Sequence, residues 1–273
     1  MCLIAFAIGA SPHWPLVIAA NRDEFLNRPA LPLACWTTDA GQHIISGRDL
    51  LAGGTWLGVA PGGRIAFLTN VRESKPAPAM RSRGELVTRW LEVSGDADNF
   101  AATLNKEPGG YGGFNLVLGD LQRNAWTWVT NKGVACSSGW LVQALTPGVY
   151  GLSNAALDTP WPKTVKLKRV LHEALVAQLK LADPDALQAP LWKALASRER
   201  VAAAELPFTG VSLAAEKALS SAFVDFPEYV YGTRNSTLVL VNAIDASRRT
   251  VQILERTYAC NLSSDIDVLY SEY

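Results

Sequence analysis

The sequence is poor in the residue types that mark metal sites and disulfide frameworks. Its 273 residues include four cysteines and three histidines, scattered along the chain without a CxxC pair. This scarcity predicts neither a structural zinc site nor a set of disulfides, and it fits a reducing compartment. We therefore expect no metal site and no required cofactor.

An excess of charge of one sign is also missing. Lys and Arg together number 25, Asp and Glu together number 25, and charged residues make up only 18% of the chain. A neutral chain has no overall attraction for nucleic acid or for an anionic membrane surface. The composition therefore favours neither as a partner.

Long apolar runs are absent as well. The apolar residues 2–8 form a short run without the basic start of a secretory signal. No run approaches the roughly 18–20 apolar residues that a membrane span needs. We predict a soluble, cytoplasmic protein without a membrane span, and the sequence leaves its oligomeric state open.

Short apolar runs, in contrast, are frequent, and 49% of the residues are hydrophobic. They predict two hairpins, one formed by residues 2–8 and 14–20, the other by residues 55–60 and 64–70 around Pro61-Gly62-Gly63. Additional strands are predicted at residues 114–119, 125–130, 149–153, 236–244 and 250–258.

Helical patterns lie between these blocks of strands. Ser82, followed by Glu85, matches a capping box, and the apolar face of the helix that it would start contains Trp90. Other helices are predicted at residues 97–105, 162–181 and 186–205, and the proline-rich residues 75–79 are predicted to form a loop. This order predicts an α+β fold, a four-layer αββα sandwich of two stacked antiparallel sheets, as a single domain over residues 1–273.

Cys2 is the first candidate for chemistry. Most unpaired cysteines are small buried hydrophobic residues, and Cys2 in an apolar strand fits that role. The alternative is a nucleophile, provided that Met1 is removed and Cys2 becomes the first residue. Its α-amine, with a pKa near about 7.7–8.0, would then activate the thiol without a histidine.

A polar tetrad, Asn21-Arg22-Asp23-Glu24, follows the second predicted strand. It is either a solvated turn or part of a site, because antiparallel pairing of the first two strands brings it close to Cys2. There an aspartate can orient the α-amine, and an arginine can stabilise a thiolate or bind a carboxylate.

Three further polar segments end predicted strands: Leu68-Thr69-Asn70, residues 151–154 and residues 232–236. Each is either a turn or a source of donors for acyl chemistry, in which losing one oxyanion donor costs roughly 10²–10³ in rate. Trp56 is either a core residue or part of the wall of an apolar ligand pocket.

Several motifs together resemble the NRDE family, which is the transport and Golgi organisation protein 2 family, over nearly the whole chain. The resemblance implies a fold of the N-terminal-nucleophile type, and the family is linked to haem trafficking and to acyl-coenzyme A or lipid metabolism. The motifs are Met1-Cys2, the tetrad at 21–24, Gly47-Arg48-Asp49, residues 53–58, Thr69-Asn70, residues 112–115, residues 150–154, residues 157–163 and Tyr231-Gly232-Thr233-Arg234.

The chain is more distantly similar to the choloylglycine hydrolase and penicillin V acylase group. By that resemblance Cys2 is the nucleophile and Asp23 the carboxylate near the α-amine. Asn70 supplies a backbone oxyanion donor, Asn154 a side-chain oxyanion donor, and Arg234 is the late arginine of the site.

The sequence departs from that group in the second strand. The group has an arginine before its asparagine, where this chain has Ala20, and Arg22 lies instead between Asn21 and Asp23. Because side chains alternate along a strand, we predict that this change turns Arg22 to the other face.

Two functions remain open from the sequence. The first is a hydrolase or acyltransferase acting on a non-peptide amide or activated acyl ester, with Asn21, Arg22, Glu24 and Trp56 in its binding site. The second is a binding or trafficking protein on the same fold, with a small amphipathic or acylated ligand such as haem or acyl-coenzyme A.

Overall fold

The computed structural model describes residues 2–74, 79–107, 110–133, 139–179, 183–245, 248–259 and 262–271. The chain divides into two compact units, each built on an antiparallel sheet. The α+β class and the two antiparallel sheets are therefore as predicted. Unit 1 comprises Met1–Asn27, Pro147–Ser153 and Leu157–Tyr273, and unit 2 comprises Arg28–Thr146 and Asn154–Ala156.

The strands of the described residues are numbered in chain order. They are β1 (Cys2–Ile8), β2 (Leu16–Phe25), β3 (Ala30–Thr37), β4 (His43–Asp49), β5 (Leu57–Ala60), β6 (Arg64–Asn70), β7 (Phe114–Asp120), β8 (Ala125–Thr130), β9 (Leu141–Ala144), β10 (Gly148–Leu152), β11 (Asp225–Phe226), β12 (Tyr231–Ala243), β13 (Arg249–Ala259) and β14 (Leu262–Ser271).

The α-helices of the same residues are numbered likewise. They are α1 (Gly84–Glu92), α2 (Ala97–Asn105), α3 (Pro162–Ala177), α4 (Pro184–Leu195) and α5 (Leu213–Ala218). In the part of the chain that the structure describes, no helix is both long enough and apolar enough to cross a membrane.

The sheet of unit 1 has the strand order β10-β1-β2-β12-β13-β14, and β11 pairs with β12. One face packs on α3 and α4 because both the strands and the helices present apolar residues there. Leu3 and Ala5 of β1 meet leucines that recur every fourth residue in the helices. Those leucines are Leu167, Leu171 and Leu175 of α3, and Leu187, Leu191 and Leu195 of α4.

The sheet of unit 2 runs in simple chain order from β3 to β9. Helix α1 covers it with the predicted apolar face. Trp90 is buried there, packs edge-on against Phe100 of α2 and donates an indole hydrogen bond to the carbonyl of Gly119 at 3.2 Å. One aromatic side chain thus holds both helices to the sheet.

Two helix predictions need correction. The N-cap of α1 is Arg83, whose side chain has no acceptor and makes no cap bond. The hydroxyl of Ser82 accepts from the backbone N–H of Gly84 at 3.3 Å, but the Glu85 carboxylate pairs with Arg81 and Arg89, so the reciprocal capping box is not formed. The helix predicted at residues 186–205 ends at Leu195. Beyond it the chain binds another segment, with Phe223 donating its backbone N–H to the carbonyl of Ser197 at 2.8 Å.

Several elements were not predicted, namely β3, β4, β9, β11, β14 and α5. The helix predicted at residues 162–181 ends at Ala177, and its predicted residues 180–181 lie outside the described residues, as do 75–78 of the proline-rich loop. Both predicted hairpins are confirmed. The prediction of a single domain stays a prediction.

Candidate nucleophile site

Cys2 is the first residue of β1 and is held in place from both sides. In the antiparallel pair with β2 it stands directly opposite Arg22. On the other side, its carbonyl oxygen accepts a hydrogen bond from the Ser153 hydroxyl at 3.0 Å. The side chain is buried, with 6% of its surface exposed. The thiol is therefore a positioned group rather than part of a loose terminus.

The electrostatic environment of Cys2 favours the neutral thiol. Burial, the largest effect, raises the pKa of the thiol above its ordinary value. The N-terminal charge lowers the pKa of Cys2, Asp23 raises it, Arg22 lowers it and Glu24 raises it. At neutral pH the thiol therefore needs a base to become a nucleophile.

Arg22 lies on the same face of the sheet as Cys2, and the prediction that it faces the other way is wrong. Directly opposed residues of an antiparallel pair point to the same side. Arg22 and Ala20 are also two residues apart, so they share a face in the alternating strand. The guanidinium lies 3.8 Å from the carboxylate of Glu24.

The tetrad is not a solvated turn, because β2 continues through it and pairs with β12 on its other side. Asp23 is almost fully buried, and its Oδ1 accepts a hydrogen bond from the Thr233 hydroxyl at 2.7 Å. The same hydroxyl oxygen accepts a bond from the backbone N–H of Val224 at 2.8 Å. The carboxylate of Asp23 is thus oriented by a partner that is itself held.

The backbone of Asp23 is fixed as well. Its carbonyl oxygen accepts a hydrogen bond from the hydroxyl of Tyr231 at 2.8 Å. Burial raises the pKa of Tyr231 well above its usual range, and Asp23 adds to that effect. The phenol therefore stays protonated and keeps donating this bond over the physiological pH range.

Asn21 belongs to the opposite, helix-facing side of the sheet. Its amide donates to the carbonyls of Leu195 at 2.9 Å and Ala222 at 2.8 Å. Its own carbonyl oxygen accepts from the hydroxyl of Ser236 at 2.6 Å. These bonds join the end of α4 to the sheet. Asn21 therefore has a structural role, on the face of the sheet opposite the Cys2 side chain.

Arg234 lies at a register irregularity of β12 between Thr233 and Asn235. Its guanidinium donates hydrogen bonds to the carbonyls of Phe25 at 3.0 Å and Leu26 at 2.9 Å. Arg234, the predicted late arginine, therefore lies near the end of the tetrad and binds the backbone where the chain leaves β2.

Asn70 and Asn154 come together within unit 2. The buried amide of Asn154 donates to both the backbone carbonyl and the side-chain oxygen of Asn70, each at 3.0 Å. The carbonyl of Asn154 in turn accepts from the backbone N–H of Arg72 at 2.8 Å. The two predicted oxyanion donors thus form a hydrogen-bonded pair that the neighbouring backbone supports.

Asn115 hydrogen-bonds to the residues next to this pair, and it was not predicted as a functional residue. Its amide donates to the hydroxyl of Thr69 at 3.2 Å and to the carbonyl of Ala155 at 2.8 Å. Its side-chain oxygen accepts from the indole of Trp128 at 3.3 Å. The signal in the sequence is its place in the family motif at residues 112–115.

Trp56 is buried in unit 2, with 8% of its surface exposed. Its backbone carbonyl accepts a hydrogen bond from the N–H of Leu68 at 2.8 Å, two residues before Asn70.

The described residues contain no group of three or more His, Cys, Asp and Glu side chains that could hold a metal ion.

Comparisons with known proteins agree with the resemblance seen in the sequence. The family described as Transport and Golgi organisation 2 matches residues 1–260. The Transport and Golgi organization 2 homolog of Mus musculus is 35% identical over 260 residues, which are 89% of each chain. The Transport and Golgi organization protein 2 of Drosophila melanogaster is 28% identical over 259 residues, 89% of this chain and 88% of that protein.

Solved structures supply the fold. The Caenorhabditis elegans ortholog of N-acylethanolamine-hydrolyzing acid amidase superposes with a TM-score of 0.52 at 11% identity, covering 88% of this chain and 92% of the other. A variant of conjugated bile acid hydrolase from Clostridium perfringens superposes with a TM-score of 0.51 at 9% identity, covering 98% of this chain and 96% of the other. At these identities the likeness shows the fold alone, which is the predicted N-terminal-nucleophile hydrolase type.

Proposed function

Because the chain belongs to the Transport and Golgi organisation 2 family and has the fold of two hydrolases, we propose that it is a hydrolase or acyltransferase with Cys2 as its nucleophile. The substrate is a non-peptide amide or an activated acyl ester. The observation that carries the proposal is the placement of Cys2 at the head of β1, directly opposite Arg22 and within the electrostatic influence of Asp23, whose carboxylate is held by Thr233.

The reaction that fits this placement has two steps. After removal of Met1, the α-amine of Cys2 takes the thiol proton, and the sulfur attacks the carbonyl carbon of the substrate. The bond from that carbon to the leaving group breaks, and the leaving group departs with the proton. Water or another acceptor, deprotonated by the same amine, then attacks the thioester and releases the acyl group and the thiol.

The roles of the surrounding residues follow from the contacts and from the resemblance. Asp23, oriented by Thr233, stabilises the α-ammonium that forms in each step. Arg22 lowers the pKa of Cys2 and so favours the thiolate. The oxyanion donors implied by the resemblance, Asn70 and Asn154, stay a prediction, and Asn154→Ala is expected to slow turnover by about 10²–10³ if it holds.

The first experiment is an intact-mass measurement of untagged protein before and after treatment with iodoacetamide. We expect Met1 to be absent and Cys2 to be modified. Cys2→Ala should then abolish turnover of a panel of acyl amides and thioesters, whereas Cys35→Ala, which removes an exposed thiol, should leave turnover unchanged. Retention of Met1, or equal turnover by Cys2→Ala and the natural protein, would contradict the proposed mechanism.

A further inference from the structure

Residues 151–158 form a loop whose first and last residues are hydrogen-bonded to each other. The backbone N–H of Asp158 donates to the carbonyl of Gly151 at 2.8 Å. In return, the backbone N–H of Gly151 donates to the carboxylate Oδ1 of Asp158 at 2.7 Å. Since Gly151 pairs with Ala5 in the β10–β1 ladder, this end of the loop is fixed to the sheet. Asp158 therefore closes the loop against the strand next to the one that begins at Cys2.

The segment inside the loop carries two side chains of the candidate site. The hydroxyl of Ser153 donates to the carbonyl of Cys2 at 3.0 Å. The buried amide of Asn154 donates to the side-chain oxygen of Asn70 at 3.0 Å. Ser153 and Asn154 follow Gly151 closely in the chain, so a shift of its backbone also moves both of them. Closure of the loop therefore bears on the position of Cys2 and of the predicted oxyanion donor.

Asp158 has a backbone conformation that suits few residue types. Its φ is +58°, in the left-handed region where aspartate and asparagine are enriched among the residues other than glycine. Glycine would fit the same backbone, but it has no side chain to accept from the N–H of Gly151. The position needs a left-handed backbone and an acceptor together, and aspartate and asparagine combine the two.

Helix α3 contributes a second donor to the same carboxylate. The ammonium of Lys168 lies 2.6 Å from Oδ1 of Asp158, and both side chains are partly exposed. The stem of this lysine crosses Gly151, where an added Cβ would lie 2.7 Å from Cδ of Lys168 and 2.5 Å from Cγ2 of Thr164. Glycine at position 151 thus lets α3 approach the strand closely. Lys168 then ties the closed loop to the helix.

We propose that Asp158 is a positioning residue for the candidate site and that it acts by keeping the loop 151–158 closed. The closed loop presents the Ser153 hydroxyl to the Cys2 carbonyl and holds Asn154 in place. Asp158 thus acts through these two residues rather than on the thiol. The inference rests on the proposed function for its effect on turnover, whereas its effect on Cys2 through Ser153 does not depend on that function.

The first test is the rate at which iodoacetamide alkylates Cys2, followed by intact mass and peptide mapping. Asp158→Gly keeps the left-handed backbone and removes the carboxylate, so the loop opens more often. The buried thiol should then be alkylated about fivefold faster, the effect of one lost hydrogen bond. Asp158→Asn keeps an acceptor oxygen and should restore most of the natural rate. Asn124→Gly, at an exposed turn residue with φ of +49°, is the matched control and should leave the rate unchanged.

A double-mutant cycle separates positioning from a general loss of stability. Ser153→Ala removes the bond to Cys2 and should itself speed alkylation. If Asp158 acts through that bond, Asp158→Gly should add little in the Ser153→Ala background, whereas independent effects would multiply. Should Asp158→Gly fail to fold, Lys168→Met, which keeps the stem over Gly151, takes its place in the cycle. Effects that multiply, or equal rates without the cycle's first step, including no labelling of either protein, would overturn the inference.

Turnover then tests the link to catalysis. With an acyl amide or thioester that the natural protein hydrolyses, Asp158→Gly should lower kcat by up to about 10²-fold and leave KM within about twofold, because a misplaced donor costs rate rather than binding. In the Asn154→Ala background this loss should disappear. Unchanged kcat, alongside turnover that depends on Cys2, would overturn the inference and keep the hydrolase. Faster alkylation of Asp158→Gly, together with unchanged turnover in Cys2→Ala, would overturn the hydrolase but keep the positioning role.

Discussion

Cys2 and Arg22 stand directly opposite each other in the β1–β2 pair, and the guanidinium lowers a thiol pKa that burial raises. The two effects oppose each other on a single titrating group. The balance of burial and charge, more than the identity of the nucleophile, therefore sets the pH at which Cys2 reacts.

Replacing Arg22 is expected to slow thiol chemistry. Arg22→Met removes a charge that lowers the pKa of Cys2, so the pKa rises further and less thiolate is present at a given pH. Alkylation of Cys2 by iodoacetamide at about pH 8 should slow by about three- to tenfold, which corresponds to a shift of up to about one pKa unit. Arg169→Met, at an exposed helical position, is the control, and equal rates for all three proteins would refute the effect.

Removing the amide of Asn21 is expected to destabilise the protein. Asn21→Leu leaves the carbonyls of Leu195 and Ala222 without their donor. The free energy of unfolding should fall by roughly 2–4 kcal/mol, since each buried unsatisfied group costs about 1–3 kcal/mol. Urea unfolding measures it, with Asn27→Leu at an exposed turn as the control. A loss below that of the control would show that Asn21 is not structural.

A methyl group at Gly54 is expected to disturb the start of α1. An added Cβ would lie 2.4 Å from the backbone carbonyl carbon of Gly84, where no flexible side chain can yield. Gly54→Ala should lower the free energy of unfolding by about 1–3 kcal/mol. The matched control is Gly112→Ala, whose Cβ would meet its nearest atom at 3.5 Å. Similar stabilities of the two variants would show that the α1 contact yields easily.

Glu107 is expected to stabilise the protein in a pH-dependent way. Hydrogen bonds from Arg89, at 2.6 Å and 2.9 Å, and from Arg81 lower the pKa of Glu107 to about 2. A lowered carboxylate pKa stabilises the fold above the unfolded-state value near 4.5, and this contribution is lost as the pH falls towards 2.

Urea unfolding of Glu107→Gln measures that contribution. At neutral pH the variant should be less stable by about 1 kcal/mol, because half-exposed ion pairs are screened by solvent. The difference from the natural protein should shrink as the pH is lowered from 4.5 towards 2. Glu205→Gln, which removes an exposed carboxylate, should show no such trend, and a constant difference for Glu107→Gln would contradict the pKa assignment.

Much of the framework was predictable because its signals are local. Apolar alternation and the Pro61-Gly62-Gly63 turn placed the β5–β6 hairpin, and periodic apolar residues placed the α1 face around Trp90. Strand β3 escaped prediction because its residues are mostly exposed and lack alternation. Strand formation there depends on pairing with β4, which is a tertiary effect.

The candidate site was predictable in membership but not in orientation. Cys2, Arg22 and Asp23 were selected from the sequence, and β1–β2 pairing brings them together. The predicted face of Arg22 was wrong, because positions 20 and 22 lie two residues apart in β2 and therefore point to the same side of the sheet.

The position of β1 between β2 and β10 has a consequence for the timing of synthesis. The partners around Cys2 are dispersed along the chain, because β10 begins at Gly148 and the partner of β2, β12, ends at Ala243. At about 5–20 residues per second, roughly 10–40 s pass between translation of β2 and of the end of β12. During that interval Cys2 of the nascent chain is accessible to enzymes that trim N-termini and to oxidants, because the strands that later surround it have not yet been made.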